Sequence, residues 1–296
     1  MGLLKLKQLL TISLVVFTEL LVCHAIADEQ NNGAKRIISL SPAITETIYA
    51  IGAGDRIAGV CDFCFFPAES LTKPKVGGFA ANTNIERIIS LKPDLIIVQG
   101  NNKRVEKYCL MKGIRLYKAP MDSVTGVYDD IKEIGRLSGY YEQAITLCDK
   151  IRFELSAIEA EAAIRPRTKV FLCIGRMTGS MTSLSTVGGN SFISELLKIA
   201  GGDNVFSFIN HRYPEMSKES LIARAPDVII DAMPGYEISK EEKRMLAKQW
   251  DKFPNIPAVR NGKVYIATDY HILLPGPRIA DTARSFAKIL QGNEYE

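Results

Sequence analysis

The chain has 296 residues, of which 47% are hydrophobic and 24% charged, a balance typical of globular proteins with a sizeable core. The formal net charge is only +4, from 37 basic and 33 acidic residues. A charge this small and this dispersed gives no indication of a nucleic-acid partner or of an anionic membrane surface. The length corresponds to about two domains.

The first residues have the composition of an export signal. Two lysines are followed by an apolar stretch over 9–17 and by an Ala-Ile-Ala sequence at 25–27, which supplies the small residues needed for cleavage. The apolar stretch is shorter than the roughly 20 residues of a membrane span, and Glu19 interrupts it. We therefore predict a signal peptide over residues 1–27 and a periplasmic mature protein. A lipoprotein anchor at Cys23 is the less favoured alternative, because a bulky valine precedes it.

Six cysteines are present, and all but Cys23 follow this leader. The predicted mature chain thus has five cysteines, an odd number, so at least one stays unpaired, although an oxidising compartment permits a disulfide. Cys61 and Cys64 form a CxxC motif, a pattern found in redox-active, metal-binding and purely structural settings. No second CxxC or Cys/His pair completes a zinc site, and the motif runs into Phe-Phe-Pro rather than into a helix. We interpret the two residues as loop cysteines and leave the question of a disulfide open.

A weak internal repeat is the most informative feature of the chain. The segment 84–97 (NIERIISLKPDLII) aligns with 217–230 (SKESLIARAPDVII). Each begins with a residue type that caps helices and has a glutamate two positions later, where the helix dipole favours an anion. Each then passes through a short amphipathic helix to Pro-Asp and a β-branched strand. Two further pairs of segments repeat in the same way, namely 43–57 with 191–205 and 113–117 with 262–266.

Each half therefore reads as strand–helix–strand–helix–strand. The strands are continuous apolar runs, which is typical of sheets covered by helices on both faces. We predict them at 36–41, 95–98 and 115–118 in the first half and at 169–174, 228–231 and 264–267 in the second. A longer loop is expected in the second half, around 176–189.

Between the two halves, residues 141–164 contain no glycine or proline and predict one long helix that ends before Pro166. The predicted fold is α/β, with two Rossmann-like lobes joined by a single long helix and a ligand cleft between the lobes. The lobes are assigned to 35–139 and 166–296, with the linker helix within 140–165. A rigid helical connector predicts modest lobe closure.

The halves also carry recognisable motifs: RIISLSPAITE at 36–46, NIERI at 84–88, LKPDLII at 91–97, AGGDNVF at 200–206 and PGPRI at 275–279. In combination these motifs resemble the periplasmic binding proteins of cobalamin, ferric-siderophore and haem ABC transporters. The resemblance extends from about residue 35 to residue 290. It implies the helix-linked two-lobe fold, a ligand held between the lobes, and delivery of that ligand to the permease, and through it to the ATPase, of an ABC importer.

The resemblance further implies that one exposed glutamate in each lobe pairs with arginines of the permease. The matching positions are Glu86 and Glu219, the glutamates of the internal repeat. Each glutamate is also expected to stabilise its own helix N-terminus.

Parallel sheets bind ligands beyond the carboxyl ends of their strands. This rule nominates five loops as parts of the ligand site, namely those after residues 41, 60, 174 and 267 and the one around 77–83. In the cobalamin-type members of the family an aromatic residue precedes each docking helix, and Phe79 and Tyr213 occupy those positions. The other candidates for ligand contact are polar and aromatic side chains of the cleft loops: Asp62, Arg176, His211, Arg212, Tyr270 and His271. Arg278 is expected to begin the last helix in a structural role.

Tyr270 and His271 are also candidates for an axial ligand to the metal of a bound chelate, because tyrosinate and imidazole suit cobalt and ferric haem. No intrinsic cofactor is expected. Arg176 and Arg212 are the only arginines assigned to the cleft loops, which disfavours a strongly anionic siderophore and favours a corrinoid. A ferric siderophore and haem remain alternatives, as does a ligand-sensing module without transport.

An enzyme is not expected, because the chain contains no HExxH, GxSxG or Walker A motif. The Gly-Ala-Gly sequence at 52–54 precedes a strand instead of following one, so it indicates the end of a helix rather than a phosphate loop. We expect a monomer whose partners are a small-molecule metal chelate and a permease.

Overall fold

The computed structural model describes residues 33–78, 82–176, 181, 183–235 and 238–292. The predicted signal peptide lies outside these residues. Within them the chain forms two sheets, each flanked by helices, and one long helix connects the two sheets. None of the helices in the described part is both long enough and apolar enough to cross a membrane.

The first sheet consists entirely of parallel strands in the order β2-β1-β3-β4. These strands are β1 (Ile37–Ser39), β2 (Ile57–Val60), β3 (Leu95–Gln99) and β4 (Arg115–Ala119). Ile37 packs into the core on one face and Ile38 into the core on the other. In β3, Leu95 likewise packs into the first of these cores and Ile96 into the second. Both faces are buried, and this explains why the strands are continuous apolar runs rather than alternating patterns.

The second sheet repeats the parallel order of the first and adds an antiparallel extension. Its strands are β5 (Thr168–Arg176), β6 (Leu184–Thr186), β7 (Gly202–Asn204), β8 (Glu215–Met216), β9 (Val228–Ala232) and β10 (Val264–Ala267). The parallel part runs β7-β5-β9-β10, which matches β2-β1-β3-β4. Strand β6 pairs antiparallel with β5, and β8 pairs antiparallel with β6. The two parallel sheets with their flanking helices confirm the predicted α/β class.

The strand boundaries differ from the prediction mainly in the second lobe. Strand β5 continues to Arg176, two residues beyond its predicted end. The longer loop expected around 176–189 contains β6, so part of the extra length of the second half forms a strand that extends the sheet. Strands as short as β6, β7 and β8 have too few residues to display a hydrophobic period.

The first lobe contains α1 (Pro42–Ala50), α2 (Ile85–Ser90), α3 (Lys103–Lys112) and α4 (Val124–Ser138). The second contains α6 (Phe192–Ile199), α7 (Lys218–Arg224), α8 (Lys240–Lys248), α9 (Pro257–Arg260) and α10 (Ile279–Leu290). The linker helix α5 spans Tyr141–Ala163 and packs against α4 and α10. Its buried residues follow a helical spacing of three and four: Ala144, Cys148, Ile151, Leu155 and Ile158.

One hydrophobic core extends across the junction of the two lobes. It contains residues from every part of the chain, namely Ile44, Ile134, Leu155, Leu196 and Phe286. Because interiors are close-packed, a large rotation of one lobe would open cavities in this shared core. The shared core therefore supports the expectation that closure is modest.

The first prediction concerns this core. Phe286 lies in α10 and is fully buried, whereas Phe153 in α5 is 76% exposed. Phe286→Ala should lower the free energy of unfolding by about 3–5 kcal/mol, because it removes a buried ring and leaves a cavity. Phe153→Ala should change it by less than about 0.5 kcal/mol. Denaturant titration of both variants measures the difference, and equal effects would contradict the shared core.

Candidate ligand-binding cleft

A cavity of about 850 Å³ lies where loops of the two lobes meet. Phe65 and Phe66, in the loop after β2, form its first-lobe wall. Its other wall comes from the loops after β9 and β10 and from the start of α10: Gly235, Ile238, Ser239, Thr268, Asp269, Tyr270 and Arg278. The lining loops follow the carboxyl ends of parallel strands, which is the usual ligand position in α/β sheets. The size is that of a small-molecule site.

The first-lobe wall is an aromatic loop on a buried base. The exposed fractions are 44% for Phe63, 52% for Phe65 and 46% for Phe66. The base is formed by Cys61 and Cys64, which are both fully buried. Backbone bonds fix the base, since the Cys61 amide donates to Ser39 at 3.0 Å in β1. Large rings held in a wet concave site offer apolar contact to a ligand at low entropic cost.

Tyr270 connects the two walls. Its hydroxyl donates a hydrogen bond to the Phe63 carbonyl of the opposite lobe. Its ring packs edge-on against Phe65, with a centroid distance of 5.7 Å and an interplanar angle of 67°. Burial raises the pKa of Tyr270, so the residue is a neutral phenol at physiological pH. The structure thus places this predicted ligand residue on the cavity wall, where it also bridges the lobes.

Arg278 lies beneath the cavity and forms a bidentate ion pair with Glu46 of α1. Its Nε and Nη2 atoms donate to the two carboxylate oxygens at 2.7 and 2.6 Å. Its guanidinium carbon lies 4.2 Å from the ring centroid of Phe66. Burial raises the pKa of Glu46, and the contact with Arg278 limits that rise. Arg278 occupies the N-cap position of α10, as expected, and in addition supports the aromatic wall.

His271 packs behind the cavity wall rather than on it. Its Nδ1 atom accepts from Arg278 Nη1 at 3.4 Å, because arginine can only donate. Its Nε2 atom is enclosed and has no hydrogen-bond partner in the described part of the chain. Burial, reinforced by Arg278, lowers the pKa of His271, which keeps the imidazole neutral. The ring is therefore not presented to the cavity as a metal ligand.

Arg176, a predicted ligand residue, is enclosed within the second lobe, and a ligand role for it stays a prediction. Its side chain is 2% exposed and donates through Nε to Asp231 at 2.6 Å and through Nη1 to Gln249 at 2.7 Å. The Trp250 indole donates to the same Asp231 oxygen at 3.0 Å. The buried carboxylate at the end of β9 requires a positive partner, and Arg176 at the end of the neighbouring β5 supplies it. The third guanidinium nitrogen, Nη2, is enclosed and has no hydrogen-bond partner in the part of the chain that the structure describes.

The candidates at 211–213 do not line the described cavity. Arg212 forms an ion pair with Asp122 of the first lobe at 2.5 Å. His211 and Tyr213 are exposed beside it. The backbone of this loop lies against Gly188, where a Cβ atom would approach the His211 carbonyl oxygen to 1.9 Å. A ligand role for the three residues stays a prediction.

Two first-lobe candidates also stay predictions. Asp62 is exposed at the turn of the CxxC motif, and its amide donates to the Gly77 carbonyl at 3.0 Å. Phe79 lies outside the described residues.

The glutamates of the internal repeat occupy the first turns of matched helices. Glu86 lies in α2 and Glu219 in α7, and both are exposed. The helices are capped by Asn84, which accepts from the third helical amide at 2.9 Å, and by Ser217, which accepts at 3.2 Å. Backbone amides and Ser217 lower the pKa of Glu219. Both carboxylates are therefore exposed at a helix N-terminus, and that of Glu219 is bonded to its own terminus.

The lining residues carry little net charge. Asp269 and Arg278 are the charged members of the described wall, and Arg278 is already neutralised by Glu46. The remaining polar groups are the hydroxyls of Ser239, Thr268 and Tyr270. The described residues also contain no group of three or more metal-ligating side chains. The cleft is suited to a ligand with apolar faces and neutral hydrogen-bonding groups.

The fold and this interlobe cavity define a two-lobed solute-binding protein. Residues 37–270 match the family described as periplasmic binding protein, and the chain belongs to that family. Members are the substrate-binding components of ABC importers and act outside the cytoplasm. The family membership confirms both the resemblance and the prediction that the chain is not an enzyme.

Three relatives illustrate the match. A vitamin B12-binding protein of Vibrio parahaemolyticus is 28% identical over 84% of this chain and 86% of its own length. The solved structure of the periplasmic vitamin B12 binding protein BtuF of Vibrio cholerae is 26% identical and superposes with a TM-score of 0.73. The match covers 87% of this chain and 97% of that one. The structure of a possible iron-binding protein of Staphylococcus epidermidis is 29% identical, with a TM-score of 0.72, and the match covers 87% of this chain and 98% of that one.

Sequence analysis missed most of the cavity wall. Phe65 and Phe66 lie in a nominated loop, but a run of aromatic residues there is also compatible with core packing. Thr268 and Asp269 likewise lie in a nominated loop and carried no distinguishing motif. Ile238 and Ser239 belong to the loop after β9, which was not nominated, although the carboxyl-end rule applies to that strand too.

The second prediction tests the ion pair beneath the cleft. Arg278→Ala should lower the free energy of unfolding by about 3–5 kcal/mol, because it leaves the buried Glu46 carboxylate without a partner. The double variant Glu46→Leu/Arg278→Met should recover most of that loss, since no buried charge remains. Denaturant titration of the single and double variants makes the comparison. A double variant as unstable as Arg278→Ala would show that the pair is not the cause.

Proposed function

We propose that this chain captures a corrinoid, of the cobalamin type, outside the cytoplasm and delivers it to the permease of an ABC importer. The observation that carries the proposal is the cavity between the lobes. Its wall combines aromatic rings with hydroxyl groups, and Arg278, the cationic residue of the described part of this wall, is paired with Glu46. The names of the Vibrio relatives support the same ligand class.

The chemistry of a corrinoid fits this wall. Its macrocycle is broad and fairly flat, and its edge bears neutral amides. The rings of Phe65, Phe66 and Tyr270 offer surfaces for the macrocycle. The hydroxyls of Ser239 and Thr268 offer hydrogen bonds to the amides.

The alternative ligands fit less well. The name of the Staphylococcus relative suggests an iron ligand. A ferric catecholate siderophore carries negative charge, while the cationic group on the wall is already paired. Haem requires an axial ligand. The Tyr270 hydroxyl is bonded to Phe63, and the Nε2 atom of His271 is enclosed. Either group would have to be released from its present environment before it coordinated a metal.

The third prediction concerns the aromatic wall. Phe66→Ala should weaken cyanocobalamin binding about 10- to 100-fold, the equivalent of burying one aromatic side chain against the ligand. The exposed Phe153→Ala on the linker helix serves as the matched control and should leave the affinity unchanged. Isothermal titration calorimetry measures both variants.

Haem and a ferric hydroxamate are titrated in parallel with the unmodified protein. Binding of either with higher affinity than cyanocobalamin would overturn the corrinoid assignment and leave the importer class intact. The visible absorption of protein purified from its own host provides an independent identification, because the three ligand classes absorb differently.

We further propose that Glu86 and Glu219 dock the loaded protein on the permease. They are exposed, negatively charged and related by the internal repeat, which suits a partner whose two halves present arginines. Export through the leader at 1–27 belongs to the same proposal.

The fourth prediction separates docking from ligand binding. Glu86→Lys/Glu219→Lys should abolish uptake by the cognate importer and leave the affinity for cyanocobalamin unchanged. The control Glu142→Lys/Glu159→Lys makes the same charge change at exposed positions of α5 and should preserve uptake. Uptake that persists after reversal of the repeat glutamates would overturn their docking role, whereas loss of ligand affinity would place them in the binding site. Ligand binding without uptake by the unmodified protein would favour a sensing module.

A further inference from the structure

The CxxC motif holds its two sulfur atoms in contact. Cys61 Sγ and Cys64 Sγ are 3.0 Å apart, and both residues are fully buried beneath the aromatic wall. The Cys64 amide donates to the Cys61 carbonyl at 3.2 Å, so the motif closes a tight turn. Lys75 fixes the turn from below by donating to the Cys64 carbonyl at 2.8 Å.

The other cysteines of the described chain have different surroundings. Cys109, Cys148 and Cys173 are buried singly in hydrophobic cores. The thiols of Cys148 and Cys173 lie against backbone carbonyls, at 3.6 and 3.7 Å. Burial raises the pKa of Cys109 and of Cys148 to about 11, which suppresses their thiolates.

Within the CxxC pair the two sulfurs differ in character. Hydrogen bonds from Cys61 and from the Thr45 hydroxyl lower the pKa of Cys64, the second at an Oγ1–Sγ distance of 3.1 Å. The partner interaction and burial raise the pKa of Cys61. Cys64 is thus the more acidic thiol of the closed turn, and it lies in contact with the sulfur that would complete a disulfide.

We propose that Cys61 and Cys64 are joined by a disulfide that braces the first-lobe wall of the cleft.

The oxidant is a disulfide donor, either a protein disulfide or oxidised glutathione. The Cys64 thiolate attacks the donor, a mixed disulfide forms and the first donor thiolate leaves. Cys61 then loses its proton and attacks Cys64 Sγ, and the second donor thiolate leaves. Two protein thiols and one donor disulfide become one protein disulfide and two donor thiols, with two electrons passing to the donor.

Burial determines when this exchange takes place. Both sulfurs are inaccessible in the folded protein, so the donor reacts while the chain is still folding. The finished bond is then protected from reductants by the same burial. The proposal requires the extracytoplasmic, oxidising location of the proposed function and is independent of the identity of the ligand.

The position of the turn explains what the bond contributes. The Phe63 carbonyl, inside the CxxC turn, accepts the hydrogen bond from Tyr270 of the other lobe. Phe65 and Phe66 follow the turn directly and line the cavity. A covalent link across the base restricts the conformations open to this loop and thereby preorganises the wall.

The fifth prediction is tested on the full chain, reduced in denaturant and refolded with a mixture of reduced and oxidised glutathione. The sample is quenched with acid, denatured and labelled with N-ethylmaleimide without further reduction. Trypsin releases residues 57–75 as one peptide, since Pro74 prevents cleavage after Lys73. We expect this peptide to be unlabelled and lighter than its reduced form by the mass of two hydrogen atoms. Peptides with Cys109, Cys148 and Cys173 should be labelled.

Recovery of the 57–75 peptide with two maleimide groups, with a glutathione adduct or linked to another cysteine would overturn the proposal. Cys109→Ser is the matched control and should leave this peptide unchanged. Refolding in glutathione needs neither export nor a ligand, so its outcome is independent of whether the proposed transport function holds.

Limited proteolysis tests the bracing role. Chymotrypsin cleaves after exposed aromatic residues, and Phe63 and Phe65 are exposed on the loop. In the folded Cys61→Ser/Cys64→Ser variant we expect cleavage at these sites to be several-fold faster than in the oxidised protein, while the Cys109→Ser control matches the oxidised protein. Equal rates for the double variant and the oxidised protein would show that the bond does not hold the loop.

Discussion

The ion pair between Glu46 and Arg278 is the contact on which the geometry of the cleft depends. The Glu46 side chain is 2% exposed, so its charge has almost no contact with water. A carboxylate this deeply buried is tolerated only with a well-oriented positive partner, and a bidentate guanidinium satisfies both of its oxygens. Arg278 must therefore remain where it is. Its position in turn fixes the start of α10, supports the ring of Phe66 and orients His271.

The same contact belongs to a wider attachment between the lobes. Asp122 of the first lobe forms an ion pair with Arg212 of the second, and the Val124 amide donates to Glu195 at 2.8 Å. The hydrophobic core runs without interruption through α5 into both lobes. Polar contacts at the edge and a shared core in the middle resist rotation of one lobe against the other. Movement during ligand exchange is therefore expected to be confined to loops at the cleft mouth and not to involve a large rotation of the lobes.

The parts of the fold that sequence predicted are those encoded locally. The linker helix has a long glycine-free run and observed bounds of Tyr141–Ala163, within a residue of the expected end. The repeat predicted the matched helices and the core strands, because the caps and apolar runs are written in consecutive residues. The interior role of Arg176 was not encoded in this way. It depends on Asp231 from a strand more than fifty residues later, which only the pairing of β5 with β9 brings near.

The cavity wall is the clearest case of this limit. Phe65 and Phe66 are of a residue type that usually packs in a core. They are exposed here because they follow a buried turn and face a loop of the other lobe across the cavity. Conversely, Arg176 belongs to a residue type that binds anionic ligands, and its guanidinium is paired with Asp231 inside the lobe. Exposure and charge pairing are properties of the assembled fold, so the residue types of the loops alone cannot supply them.

These pairings also determine what the cleft can select. Three arginines already have carboxylate partners: Arg176 pairs with Asp231, Arg212 with Asp122 and Arg278 with Glu46. An anionic ligand that took Arg176 or Arg278 from its partner would leave a buried carboxylate without a positive charge beside it. A ligand that contributes apolar faces and neutral amides disturbs none of these pairs. The internal electrostatics of the two lobes thus favour the class of ligand that the aromatic wall accommodates by shape.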